Sequence, residues 1–196
     1  MGFIQSFFLG IFGALGALFL EVIFLVFLAP PSSTAESITG EFNSIGLFFF
    51  LAILAEEFSK YILIHKFSSK KNNSGNIILS SLFFGIGFSM LEIFLVYWNY
   101  QNGMNFDLIG IAGIIVIHIS TAILIGYSAG KNSANFTNGL FFGFIPAFLV
   151  HLAYNLLKVS GPTHQKELVI ALLVFLISTD IFLLFKPFFP RNIEKI

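Results

Sequence analysis

The stretch "LAEEFSKYIL" (54–63) sets two adjacent glutamates and a lysine inside one of the most apolar runs of the chain. Each charge near the centre of a bilayer costs at least ~2.5–3.5 kcal/mol on insertion scales. What surrounds the stretch decides whether it lies in one. The chain has 196 residues, of which 57% are hydrophobic and only 10% charged, with 28 phenylalanines. Soluble domains average about 25% charged residues. Mean hydropathy is +0.91, which points to an integral membrane protein.

The same composition excludes several function classes. Formal net charge is zero, so there is no basic footprint for nucleic acid and no polyanionic tail. Cysteine is absent, which removes disulfides, thiol catalysis and cysteine-ligated zinc. Any metal must be held by His, Glu, Asp or Asn.

A membrane helix needs about 20 mostly apolar residues to cross about 30 Å of hydrocarbon. Six segments qualify, at roughly 3–29, 44–65, 77–98, 108–130, 138–158 and 167–187. The breaks between them carry turn chemistry, as in "KFSSKKNNSGN" and "KVSGPTHQKE", and are too short for a second domain. The reading is all-α: a polytopic membrane protein, a bundle of about six transmembrane helices, with 1–196 as one integral membrane domain. The first segment lacks the basic n-region and short apolar run of a signal peptide and is read as a helix of the mature protein.

Lysine and arginine counts predict the orientation. Lys66, Lys70, Lys71, Lys131, Lys186, Arg191 and Lys195 fall on one side, against Lys158 and Lys166 with Glu36, Glu41, Asp107 and Glu167 on the other. Both termini are expected on the cytoplasmic side of the cell membrane.

With the loops removed, the expensive residues that remain are Glu21, Glu56, Glu57, Lys60, Glu92, His118, His151, Asn155 and Asp180. Intramembrane ionisable groups face a bundle interior and are functional candidates by default. Counted at ~1.5 Å per residue from segment midpoints, Glu56, Glu57, Glu92, His118 and His151 lie within about 10 Å of one plane. Small residues share their faces at i+4 spacing: Gly139, Gly143 and Ala147 with His151 and Asn155; Ala122, Gly126 and Gly130 with His118; Gly13 and Ala17 with Glu21. Glu21 and Asp180 match no motif and are read as structural or peripheral.

Three spacings stand in order: "EEFSK" (56–60) as EExxK, "FSMLE" (88–92) as FxxxE and "HLAYN" (151–155) as HxxxN. This order resembles the PrsW family of intramembrane proteases, which belongs with the CAAX prenyl endopeptidases and the bacterial CPBP proteins. "HISTAILIGYSAG" (118–130) is similar to the His-x-x-Thr helix of PrsW relatives. The resemblance covers about residues 50–158, and the motif-bearing core runs over about 44–158. Lys60 and Glu92 stand where CAAX endopeptidases have Arg and His, which favours the PrsW branch. Asn155 stands where the PrsW motif is often written with Asp.

The resemblance implies an endopeptidase acting on a membrane-anchored protein such as an anti-sigma factor, with the lipid bilayer as the other partner. A carboxyl group in a low-dielectric pocket titrates closer to neutrality, which suits a general base. Glu56 is the first choice by resemblance. Glu57, about 100° around the helix, is expected to do a different job. Lys60, one turn from Glu56, is expected to hold it ionised. Glu92 and His118 read as relay or ligand partners of a water, and His151 with Asn155 as donors to an oxyanion. No cofactor is expected. Zinc held by Glu92, His118 and His151 is the metal alternative, although no HExxH is present. A proton-coupled transporter or channel using the same Glu/His set as a relay is the alternative function. It lacks the duplicated motif of an inverted repeat.

Overall fold

A computed structural model of the protein describes residues 2–28, 38–68, 74–100, 108–131, 136–159 and 165–186. They form six helices and, among the described residues, no strand: α1 (Phe3–Leu28), α2 (Ile38–Ser68), α3 (Ser74–Tyr100), α4 (Leu108–Lys131), α5 (Phe136–Val159) and α6 (Gln165–Phe185). Each expected segment corresponds to one helix. The largest boundary difference is at the start of α2, which begins at Ile38, ahead of its apolar run, because backbone hydrogen bonding continues past the hydrocarbon-compatible residues. Lys70, Lys71, Glu36, Asp107, Arg191 and Lys195, used for the expected orientation, lie outside the described residues.

All of α1, α3, α4, α5 and α6 are long and apolar enough to cross a bilayer. The chain is an all-α polytopic membrane protein. Its outer surface agrees: Phe12, Phe19, Phe27, Phe142, Phe175 and Phe182 are all exposed by more than 60%. Soluble monomers do not present such a belt to water. Tyr97 and Trp98 stand exposed near the end of α3, where amphipathic rings suit a membrane–water interface.

Helix α4 is the axis of the bundle and touches α2, α3, α5 and α6, while α1 packs on α2 and α3. Glycines set the closest approaches. A Cβ at Gly10 would meet the Phe84 carbonyl oxygen at 2.0 Å, and one at Gly87 would meet that of Phe7 at 2.0 Å, so α1 and α3 cross almost backbone to backbone. Gly85 does the same toward α4, where a Cβ would lie 2.7 Å from the His118 carbonyl oxygen. Without hydrophobic attraction between helices in lipid, such small-residue contacts supply the packing that holds the bundle.

Helix α5 is not regular. Leu140–Phe144 form a π-turn between α-helical Phe136–Gly139 and Ile145–Val159. A π-turn takes one more residue than an α-turn, and such bulges gather at functional sites. Here it keeps Gly139, Gly143, Ala147 and His151 together on the buried face, although a straight α-helix would drift. Tyr61 donates a 2.6 Å hydrogen bond to the Phe136 carbonyl and ties the start of α5 to α2.

Candidate active site

Lys60 has no solvent exposure, and neither do Glu57, His118 and Thr121. A buried ammonium survives only if its protons are placed. Lys60 places all three: to Glu57 Oε1 at 2.6 Å, to His118 Nδ1 at 2.7 Å and to Thr121 Oγ1 at 2.9 Å. The Phe88 ring lies beneath, 4.6 Å from Nζ to its centroid, and adds a cation–π contact. Helices α2, α3 and α4 meet at this one nitrogen.

The partners assign the tautomers. An ammonium only donates, so His118 Nδ1 is the bare, accepting nitrogen and Nε2 carries the proton. His118 Nε2–H then donates to the Glu92 carboxylate on α3. His151 on α5 donates its Nδ1–H to Glu57 Oε1 at 2.6 Å, which leaves its Nε2 as the acceptor. The two imidazoles meet edge to face, with centroids 5.2 Å apart. Glu92, His118, Lys60, Glu57 and His151 therefore form one continuous hydrogen-bonded chain across four helices.

Glu56 stands apart from its neighbour. Lys60 pairs with Glu57, three residues before it, and not with Glu56, as the spacing had suggested. The i,i+3 pair lies on the face that α4 and α5 cover, whereas Glu56 is turned about 100° toward α1 and α3. Glu56 Oε2, like Glu57 Oε2, is buried without a hydrogen-bond partner, and it lies 3.7 Å from His151 Nδ1. The side chain borders a cleft of about 150 Å³ lined also by Ala17, Glu21, Phe88, Glu92 and Leu95. A water molecule's share of liquid volume is about 30 Å³, so a few fit. Glu92 is the half-open member, its side chain 37% exposed.

Of the residues expected from the sequence, the structure joins Glu57, Lys60, Glu92, His118 and His151 in the chain and sets Glu56 beside it. Asn155 is not joined: it is half-buried, and Tyr154 takes the interior position, donating to the Gly110 carbonyl at 3.4 Å. Beyond the π-turn α5 is regular again, so an i+4 step from His151 drifts about 40° off the face. The metal alternative also changes membership. The four ligand atoms lying within 4.8 Å of one another belong to Glu56, Glu57, His118 and His151, while Glu92 sits behind His118.

Two residues of the site had weak signals in the sequence. Thr121 shares the His118 face at i+3, but threonine is ordinary in a membrane helix. Glu21, read as peripheral, lines the same cleft as Glu56 and Glu92. The Gly13–Ala17–Glu21 ridge was its only hint. Asp180 belongs elsewhere: it accepts a 2.6 Å hydrogen bond from Ser120 and joins α6 to the far face of α4. Comparison of the chain with protein-family models, with curated proteins and with solved structures finds no match.

Proposed function

We propose that the protein is an intramembrane endopeptidase that hydrolyses a peptide bond of a membrane-anchored protein, with Glu56 as the base that activates water. The observation that carries this reading is Glu56 itself. It is the carboxylate of the adjacent pair that borders the cleft of about 150 Å³, whereas Glu57 is held by Lys60 and His151 and does not line it. The ordered EExxK, FxxxE and HxxxN motifs and their resemblance to PrsW proteases support the same reading, with a single-span, anti-sigma-factor-like substrate. The lysine asymmetry supports a multi-pass protein of the cell membrane with both termini in the cytoplasm.

The chemistry follows from the hydrogen bonds. A water in the cleft gives its proton to Glu56 as its oxygen attacks the scissile carbonyl. The buried Lys60 ammonium sets a positive field where the oxyanion grows, in a medium that screens it little. Glu56 then releases that proton to the departing amine through the bare Nε2 of His151, which Glu57 orients through Nδ1–H, and returns to its carboxylate form. That is the division of labour of a carboxylate–histidine pair. Glu57 orients and Glu56 reacts.

The test is cleavage of a panel of single-span reporter proteins in liposomes. Glu56→Gln and His151→Ala are each expected to abolish cleavage with the fold intact, and a chelator to leave the wild type unchanged. The continuous chain from Glu92 to His151 favours a second reading, a proton relay in a transporter. No cleavage of any reporter, together with a proton flux that Glu56→Gln stops, would establish that reading in place of the first.

A further inference from the structure

Glu56, Glu57, His118 and His151 each bring one ligand atom to within 4.8 Å of the others. Two carboxylates and two imidazoles are the ordinary ligands of Zn²⁺, at about 2.0–2.2 Å from the ion. A tetrahedron with such bonds has its ligand atoms about 3.4 Å apart, so closing the set requires the 2.6 Å Glu57–His151 hydrogen bond to open and His151 to give up its Nδ1 proton, as metal binding does. The position is already taken by a cation. Lys60 Nζ lies 2.6 Å from Glu57 Oε1 and 2.7 Å from His118 Nδ1, two members of the set.

His118 is held as a zinc-bound histidine is held. Its bare Nδ1 faces the cation, and its Nε2–H donates to a carboxylate, Glu92. Metal-ligating histidines almost always have such a carboxylate, carbonyl or water behind them, which fixes the tautomer and raises ligand basicity. The lone pair that Nδ1 offers the ammonium is the one a metal would need.

We infer that the Lys60 ammonium occupies the place of a divalent cation in a His/carboxylate site, so that the native chain takes no metal there and becomes a zinc binder once the ammonium is removed. A single charge suffices because Glu57, His118 and Thr121 use all three protons. It also leaves Glu56 free. A divalent ion would draw that carboxylate in as a ligand, whereas the ammonium bonds only Glu57 of the pair. The inference concerns the cation and stands apart from which bond, if any, the site cleaves.

The experiment measures zinc on the purified full-length protein in detergent, by metal content after dialysis and by zinc titration. Wild type, Lys60→Ala and Lys60→Gln are compared. Gln keeps amide donors toward Glu57 and Thr121 and serves if the alanine variant does not fold. The folded variant is expected to hold one zinc ion per chain, about 100-fold tighter than wild type, with a zinc-dependent rise in Tm that wild type lacks. Adding His118→Ala should abolish that binding, and adding Glu92→Ala should weaken it about 10- to 100-fold. Zinc bound by wild type as tightly as by the variants, and lost on His118→Ala, would overturn the inference. So would a folded Lys60 variant that binds no more zinc than wild type. Neither result depends on whether a reporter is cleaved.

Discussion

Two adjacent glutamates on one helix live in different worlds. Glu57 is fully buried among α4 and α5, and its Oε1 accepts hydrogen bonds from both Lys60 and His151. Glu56 faces α1 and α3 and shares a cleft with Glu21 and Glu92, although each of the two carboxylates has one buried oxygen, Oε2, without a hydrogen-bond partner. One residue of helical rotation separates a carboxylate that holds the bundle together from one that is free to react. What separates them is access: Glu56 borders the cleft, whereas Glu57 is closed in behind Lys60 and His151. The site divides the two duties between neighbours in sequence.

The sharpest way to break this contrast is to truncate each glutamate in turn and follow unfolding in detergent by denaturant or heat. Glu57→Ala leaves Lys60 buried without its counter-charge, and removing one partner of a buried pair costs about 3–5 kcal/mol. Glu56→Ala removes the side-chain hydrogen bond with Glu21 but no partner of Lys60, and is expected to cost about 0.5–1.5 kcal/mol, less than Glu57→Ala, with cleavage lost. Equal destabilisation by the two substitutions would mean that Glu56 is structural as well.

Packing around the network gives a second, smaller contrast. Gly85→Leu drives a side chain into the α4 backbone at His118 and Ile119, whereas Gly16 has open space around a Cβ. Gly85→Leu is expected to cost about 1–3 kcal/mol and to weaken cleavage by displacing His118. Gly16→Leu should change stability by less than about 0.5 kcal/mol. Comparing Tm and cleavage for the two variants checks it.

The smallest effect lies farthest from the site. Ser120→Ala removes the α4–α6 hydrogen bond to Asp180, and single interhelical hydrogen bonds in membranes are worth about 0.6–2 kcal/mol. Cleavage at a permissive temperature should be unchanged. A loss of cleavage with the fold intact would place Asp180 in the machinery.

Much of this was legible in the sequence, and the parts that were not share a cause. Helix number and the polar residues at mid-depth follow from apolar run length and the cost of charge in hydrocarbon. Those quantities are local, so the segments at 77–98 and 108–130 could be read without a fold. Which acid pairs with Lys60 was not legible. Spacings of three and four residues are both within reach on a helix, and only the position of His118 and Thr121 across the interface selects Glu57. The position of Asn155 outside the network was not legible for a similar reason. Its distance from the interior depends on a π-turn and a drift that accumulate along α5. Glu21 looked peripheral because α1 carries no motif, and its cleft exists only where α1 lies on α2 and α3.

By itself the sequence determined a membrane bundle of six helices with an acid-, lysine- and histidine-bearing interior, since the free energy of placing each side chain in hydrocarbon is a property of that side chain. The tertiary structure alone decided the pairing. It determined that Lys60 bridges α2 and α4, that Glu92 backs His118, and that Glu56 is the carboxylate of the pair that borders the cleft. Hydrogen bonds between helices depend on rotation and crossing distance, and those are set by contacts between helices, such as Gly85 of α3 against the α4 backbone at His118, that no single segment contains.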